Sequence, residues 1–229
     1  MTSGASIWLA DTLGYEFDDP RLLQQALTHR SCPGDNNERL EFLGDAVLDL
    51  VVSELVYNTQ RAAAEGDLSR LRASLVNKSS LAELASGLGL GEHLLLGEGE
   101  RKTGGHRRDS ILADALEALF GAVYVDAGFA AAAAVIRQAF GERLTALPAA
   151  NELRDPKTRL QEWLQARASG LPEYELIKTS GKAHRQLFEV QCSIQDGRLQ
   201  STGHGTSRRA AEQESADKML AKLSAEDAD

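Results

Sequence analysis

The sequence predicts an all-α N-terminal domain followed by a small α+β domain of order α-β-β-β-α, and three observations carry that reading. Across the first 145 residues apolar side chains recur every three or four positions, and strand-like alternation is scarce. The stretch Leu147–Asp155, containing Pro148, Ala149, Ala150 and Asn151, interrupts the pattern. Beyond it, runs alternate with a period of two and are bracketed by a helical segment on each side. The expected divisions are a helical domain at 1–147, a linker at 148–154, the α+β domain at 155–224 and an acidic tail at 225–229.

In the first domain Asp19-Pro20 offers a cap and a first helical residue, and Arg21–His29 continues with helical spacing. Leu40–Tyr57, Leu68–Leu88 and Ile111–Val125 show the same period. Gly87, Gly89 and Gly91 close the third helix, and 97–105 reads as a polar, glycine-bearing loop. Ala130–Ala134 is low in complexity, but Val135, Ile136 and Phe140 carry a helical pattern onward, so it begins a final helix. In the second domain Asp155-Pro156 opens a helix over Pro156–Arg167. Glu173–Thr179, Gln186–Ile194 and Arg198–Thr202 read as strands, with a hairpin turn at Asp196-Gly197 and Phe188, Val190 and Cys192 sharing a face. A helix from about Ser207 to Leu223 completes a fold with its helices on one sheet face.

Composition is that of an ordinary globular protein, 42% hydrophobic and 26% charged. No run of 18 apolar residues occurs, which excludes a transmembrane helix, and the N-terminus carries no secretory pattern. Cys32 and Cys192 fit no metal or disulfide spacing and read as reduced thiols, so a cytoplasmic location is expected. A net charge of −9 argues against a nucleic-acid partner for the whole chain. Its distribution reverses that: residues 155–223 hold eleven Lys and Arg against nine Asp and Glu, while the acidic excess lies before them and in the tail. So small an excess leaves the argument to the placement of the charges.

The most informative stretch is Asn37-Glu38-Arg39-Leu40-Glu41-Phe42-Leu43-Gly44-Asp45. On a helix Glu41 lies about 60° from Glu38, and Asp45 about 20° from it, so three carboxylates share one face. Like charges at these spacings destabilise a helix, and no base is mixed among them on that face. Asp49 falls on the stripe by geometry alone. A second pair, Asp114 and Glu117, shares a face of the apolar run Ile111–Phe120. Partly buried carboxylates need a counter-ion, and no base stands between Ser110 and Val125. A divalent cation would supply the charge, and oxygen donors favour Mg²⁺ or Mn²⁺ over Zn²⁺. Two surface clusters that never meet would satisfy the same spacings.

The run NERLEFLGDAVL resembles the defining motif of the ribonuclease III family, which processes structured RNA. EGDLSRLRASLV (65–76), GGHRRDSILADALEAL (104–119) and DPKTRLQEWLQ (155–165) extend the resemblance, in order, over nearly the whole chain. It implies the minimal bacterial class: a helical nuclease domain followed by a double-stranded-RNA-binding fold. By position, Glu41, Asp114 and Glu117 match the family's metal-binding carboxylates, and Asp45 and Glu117 the directly catalytic ones. Glu38 and Glu65 match outer acids linked to substrate engagement across a homodimer, with Phe42 a candidate for insertion into the partner. The resemblance further implies Mg²⁺-dependent hydrolysis of double-stranded RNA, with Mn²⁺ able to substitute. The expected products carry 5′-phosphate and 3′-hydroxyl ends with short 3′ overhangs, and the expected substrates are ribosomal RNA precursors and other structured transcripts.

The second domain suits duplex RNA, whose wide minor groove is within reach of polar side chains on a helix. Thr158, Gln161 and Glu162 match the family's minor-groove contacts, and Lys182 and His184 stand in the matching loop. Arg208 and Arg209 open the last helix, whose N-terminus attracts phosphate. Ala210 replaces a further base found in many relatives, which implies weaker phosphate affinity. Lys218 and Lys222 either contribute or solvate the helix. In the acidic domain the basic loop 101–110, with Arg107 and Arg108, is placed to steer phosphates toward Asp114. Two other readings are weaker. A silent RNA-binding regulator would have lost some of these acids, and a carboxylate-bridged metal oxidase would want Glu-x-x-His pairs.

Overall fold

The computed structural model describes residues 2–144, 154–182, 185–194 and 197–226. It divides into two compact units, 1–150 and 151–229. The linker expected at 148–154, apart from Arg154, lies outside the described residues, as do His184, Asp196 and the end of the acidic tail.

The first unit is helical throughout: α1 (Thr2–Leu13), α2 (Pro20–Ala26), α3 (Glu38–Thr59), α4 (Glu65–Val76), α5 (Lys78–Gly87), α6 (Glu98–Lys102) and α7 (Asp109–Phe140). The start of α2 is as expected, with Pro20 at its first position and the Asp19 carboxylate accepting from the Arg21 amide. The helix expected over Leu68–Leu88 is two helices. Asn77, in extended conformation, ends α4 and caps α5 by accepting the Ser80 amide at 3.0 Å. The loop expected at 97–105 contains α6 and leads into a 3-10 turn at Gly105–Arg107. The two helices expected around Val125 and Ala130 follow one another directly as α7, kinked at Gly128 (φ 78°, ψ −174°). Helix α1 has no counterpart among the helices the sequence predicts. Its fully buried aliphatic anchors are only Leu9 and Leu13, one turn apart, helped by Trp8 Nε1–H donating to the Leu88 carbonyl.

Helix α7 is long and apolar enough by composition to span a bilayer. The fold gives the reason. Leu112, Leu116, Leu119, Phe120 and Val123 are buried at the centre of the unit, and α2, α3 and α5 pack around the helix. The closest packing is between α3 and α7. A Cβ on Gly44 would stand 1.8 Å from the Glu117 carbonyl oxygen, and one on Gly121 would stand 2.2 Å from that of Leu40. Each helix therefore contributes a glycine at the place where the other's backbone passes, and Ala118 and Ala122 pack on Leu40 beside them.

The second unit comprises α8 (Pro156–Ala166), β1 (Glu173–Ser180), β2 (Leu187–Ile194), β3 (Leu199–Gly205) and α9 (Arg208–Glu226). Its antiparallel sheet has the order β1-β2-β3, with a bulge between Leu176 and Lys178. Leu160 and Leu164 of α8 meet Met219, Leu220 and Leu223 of α9 over Cys192 and Ile194, the inward face of β2. Val190, Cys192 and Ile194 are buried as the period-two reading requires, while Phe188 near the strand start is half-buried. Cys192 is buried and Cys32 half-buried, both as free thiols.

Because backbone atoms rather than flexible side chains fill the space at the crossing, Gly44→Ala or Gly121→Ala must push α3 and α7 apart. Overpacking of this kind costs about 1–3 kcal/mol or more. The expected result is a lower melting temperature, measured by calorimetry. Gly4→Ala, where nothing lies within 4 Å of the new methyl, serves as the control.

Candidate metal centre and nucleic-acid interface

The close crossing brings the acids of two helices to one place. Oxygens from Glu41 of α3 and from Asp114 and Glu117 of α7 all lie within 4.8 Å of one another, each residue being half-buried. The two acidic runs therefore do meet. Burial, followed by the charge of Asp114, pushes the Glu41 carboxyl upward, with Lys78 opposing. Glu117 is pushed up to about 7, first by burial and then by the charges of Asp45, Glu41 and Asp114. Asp45 is solvent-exposed and close enough to act on Glu117. Glu38 is exposed and faces Arg30 at 3.4 Å.

Glu65 is not brought to this cluster. It opens α4, accepts from Ser69 Oγ at 2.8 Å, and lines a groove of about 330 Å³ with Leu50, Tyr57 and Leu68. Asp49 is likewise absent from the group of converging carboxylates.

The expectation that no base compensates these acids needs correction. Lys78, the first residue of α5, holds its Nζ 3.1 Å from Asp114 Oδ1. It comes from a helix about 36 residues away in sequence, so the run of α7 gives no sign of it, and reading 68–88 as one helix hides that it stands at a helix start. Lys78 and Asp114 line a cleft of about 700 Å³ with Glu38, Glu41, Arg108 and Ser110.

The basic loop is also less basic than its sequence. Arg108 pairs with Glu100 at 2.8 Å, and Lys102 with Glu98 at 2.6 Å. Arg107 is exposed and lines a neighbouring groove with His106 and Arg143.

In the second unit Thr158, Gln161 and Glu162 are exposed on α8, with Glu162 held by Arg154, and Lys182 is exposed just after β1. Asp155 accepts the Lys157 amide at 2.9 Å, the cap expected for α8. Ser207 Oγ accepts the Ala210 amide at 3.1 Å as α9 begins. Arg208 donates to Glu212 at 2.9 Å, and Glu212 also receives Lys157 at 2.6 Å. Arg209 is 81% exposed and stands 3.7 Å from Asp155. Lys218 and Lys222 donate to the β3 carbonyls of Thr202 and Gln200, which ties α9 to the sheet.

Residues 19–144 match the sequence family described as Ribonuclease-III-like, and residues 156–223 match the Double-stranded RNA binding motif. The chain is 53% identical over 215 residues to Ribonuclease 3 of Alkalilimnicola ehrlichii, covering 94% of each. It is 50% identical over 231 residues to Ribonuclease 3 of Nitrosococcus oceani, covering 100% of this chain and 99% of the relative. Among solved structures it is similar to the nuclease domain of ribonuclease III from Campylobacter jejuni, with a TM-score of 0.58 and 48% identity, over 62% of this chain and 97% of that one. A second structure of that domain, described as showing flexibility in a region involved in dimer formation, gives 0.56 and 50% over 58% and 94%.

The raised Glu117 carboxyl sets a pH dependence for the metal-free protein. Its folded value of about 7 lies above the ordinary 4.5, so its favourable contribution is present below about 4.5 and lost as pH rises through 7. Glu117→Gln in EDTA is therefore expected to melt higher than wild type at pH 8 and equally at pH 4. A melting temperature at pH 8 no higher than wild type would show that the burial of this acid carries no penalty.

Proposed function

Since the chain belongs to the ribonuclease III family and is an endoribonuclease of double-stranded RNA, we propose that Glu41, Asp114 and Glu117 hold its divalent metal, with Asp45 and Glu117 acting on the reacting groups. The family implies a divalent metal. The observation that carries this assignment is the convergence of the three carboxylates from two helices. Hard oxygen donors suit Mg²⁺, with Mn²⁺ as a substitute. The half-buried Glu117 adds a physical reason, since an acid held up to about 7 by burial and by its acidic neighbours is ionised at neutral pH when a cation offsets both. A bound cation supplies Lewis-acid chemistry, easing deprotonation of water and neutralising charge that develops on the phosphate. Asp45, exposed at the rim beside Glu117, is placed to accept a proton or orient the attacking water. Arg107 and Arg108 steer the RNA backbone toward the cleft. Cleavage leaves 5′-phosphate and 3′-hydroxyl ends.

The second domain, assigned to 155–224 after a linker at 148–154 and before the tail at 225–229, supplies duplex affinity. Thr158, Gln161 and Glu162 face one minor groove, Lys182 and His184 the next, and Arg208 and Arg209 the phosphates between. Two cuts with a short 3′ overhang require two sites, and a homodimer provides them. Phe42, next to Glu41 in the chain, is 82% exposed, and a second copy of the chain would cover it. The apolar groove of Leu50, Tyr57 and Leu68 is a suitable receptor on the partner, and it would bring that partner's Glu65 into play. Glu38 serves as an outer acid of the cleft. Substrates on this reading are ribosomal RNA precursors and other structured transcripts, in the cytoplasm and without a membrane partner.

Glu117→Ala is expected to abolish cleavage of a long RNA duplex in Mg²⁺ while duplex binding survives, and EDTA should do the same to wild type. Measurable cleavage by this variant would remove Glu117 from the site; end-group analysis of the wild-type products checks the polarity. Phe42→Asp is expected to shift sedimentation at micromolar concentration from dimer to monomer with the helical circular dichroism unchanged. A wild-type chain that sediments as a monomer would sink the paired-site reading.

A further inference from the structure

Lys78 occupies an unfavourable place on its own helix. It is the first residue of α5, where exposed backbone N–H groups and the dipole disfavour a cation, and no acid stands in that turn. Its position is nevertheless firmly fixed. Asn77 donates through Nδ2 to the carbonyls of Ala73 and Ser74 and accepts the Ser80 amide, while Ser80 Oγ donates to Ser74. Both helix ends at this corner are therefore tied to one residue, and the next residue is aimed at α7. There the ammonium meets Asp114 at 3.1 Å, and its charge opposes the mutual repulsion felt at Glu41 and Glu117 as well.

We propose that Lys78 is the resident counter-ion of the carboxylate cluster and that a divalent cation binds in competition with it, so that this residue sets the metal affinity of the enzyme. The proposal rests on the reading of Glu41, Asp114 and Glu117 as the ligands. In the metal-free protein the ammonium neutralises one of the clustered charges and keeps Asp114 directed into the cleft. An arriving metal must displace it from Asp114 or bind against its repulsion, and either lowers affinity. The side chain of Lys78 is 60% exposed, so it can swing away without leaving a buried charge behind. Lys78 is thus a positioning residue that acts through Asp114.

The test is titration of Mn²⁺ into EDTA-stripped, RNA-free, full-length protein, with free Mn²⁺ read by electron paramagnetic resonance. Lys78→Met is expected to bind about three- to tenfold more tightly than wild type, the scale set by removing a partly exposed ion pair together with a like charge. Lys78→Arg, which keeps the charge, should stay near wild type. Equal or weaker binding by Lys78→Met would overturn the proposal, whereas absence of Mn²⁺ binding from wild type would overturn the ligand assignment beneath it. Melting in EDTA at pH 8 is a second readout. Lys78→Met should melt below wild type and gain more on Mn²⁺ addition, and an unchanged melting temperature would also count against the resident counter-ion.

Discussion

The arrangement of the catalytic unit depends on one steric fact: α3 and α7 cross with their backbones in near contact. Gly44 and Gly121 make that approach possible, each lying where a methyl group would strike a carbonyl oxygen of the other helix. The carboxylates flank these contacts in sequence, Glu41 and Asp45 around Gly44, and Asp114 and Glu117 ahead of Gly121. Side chains this short converge only when the helices that carry them nearly touch. Burial of Leu116, Leu119, Phe120 and Val123 supplies the cohesion that holds α7 in place. The crossing converts that cohesion into placement of the acids.

The same convergence opposes folding. Glu117 sits among three other carboxylates in a half-buried position, and its raised pKa records the unfavourable energy of ionising it there. A sequence selected for stability alone would not place these four acids together. Their presence against a local energetic penalty is the signature of a functional site, and Lys78 offsets only part of it. The remainder is available to a cation, which stabilises the fold increasingly as its free concentration rises above its dissociation constant.

Much of this was legible in the sequence, and the reasons for the remainder are specific. The stripe of Glu38, Glu41 and Asp45 follows from helical periodicity, and the capping of α2 and α8 from Asp-Pro pairs. The inward face of β2 follows from its alternation. The role of Gly44 and Gly121 is not legible, because a helical glycine carries no local signal of what lies opposite its missing Cβ. Lys78 is hidden for a related reason, since this counter-ion arrives not along α7 but through a corner between α4 and α5. The break at Asn77 hides within an uninterrupted apolar rhythm and shows only in the side-chain capping. Comparison with relatives identifies the family; the roles of individual acids rest on geometry and on the experiments above.

The ion pairs at the start of α9 have a consequence for how the second domain meets a polyanion. Arg208 is already bonded to Glu212, which also receives Lys157, and Lys218 pairs with Glu214. A phosphate that engages Arg208 therefore exchanges one anionic partner for another and does not neutralise a free cation. Exchange of this kind releases fewer small ions than a count of basic residues suggests, so the attraction is gentler with respect to salt and more dependent on the fit of the two surfaces.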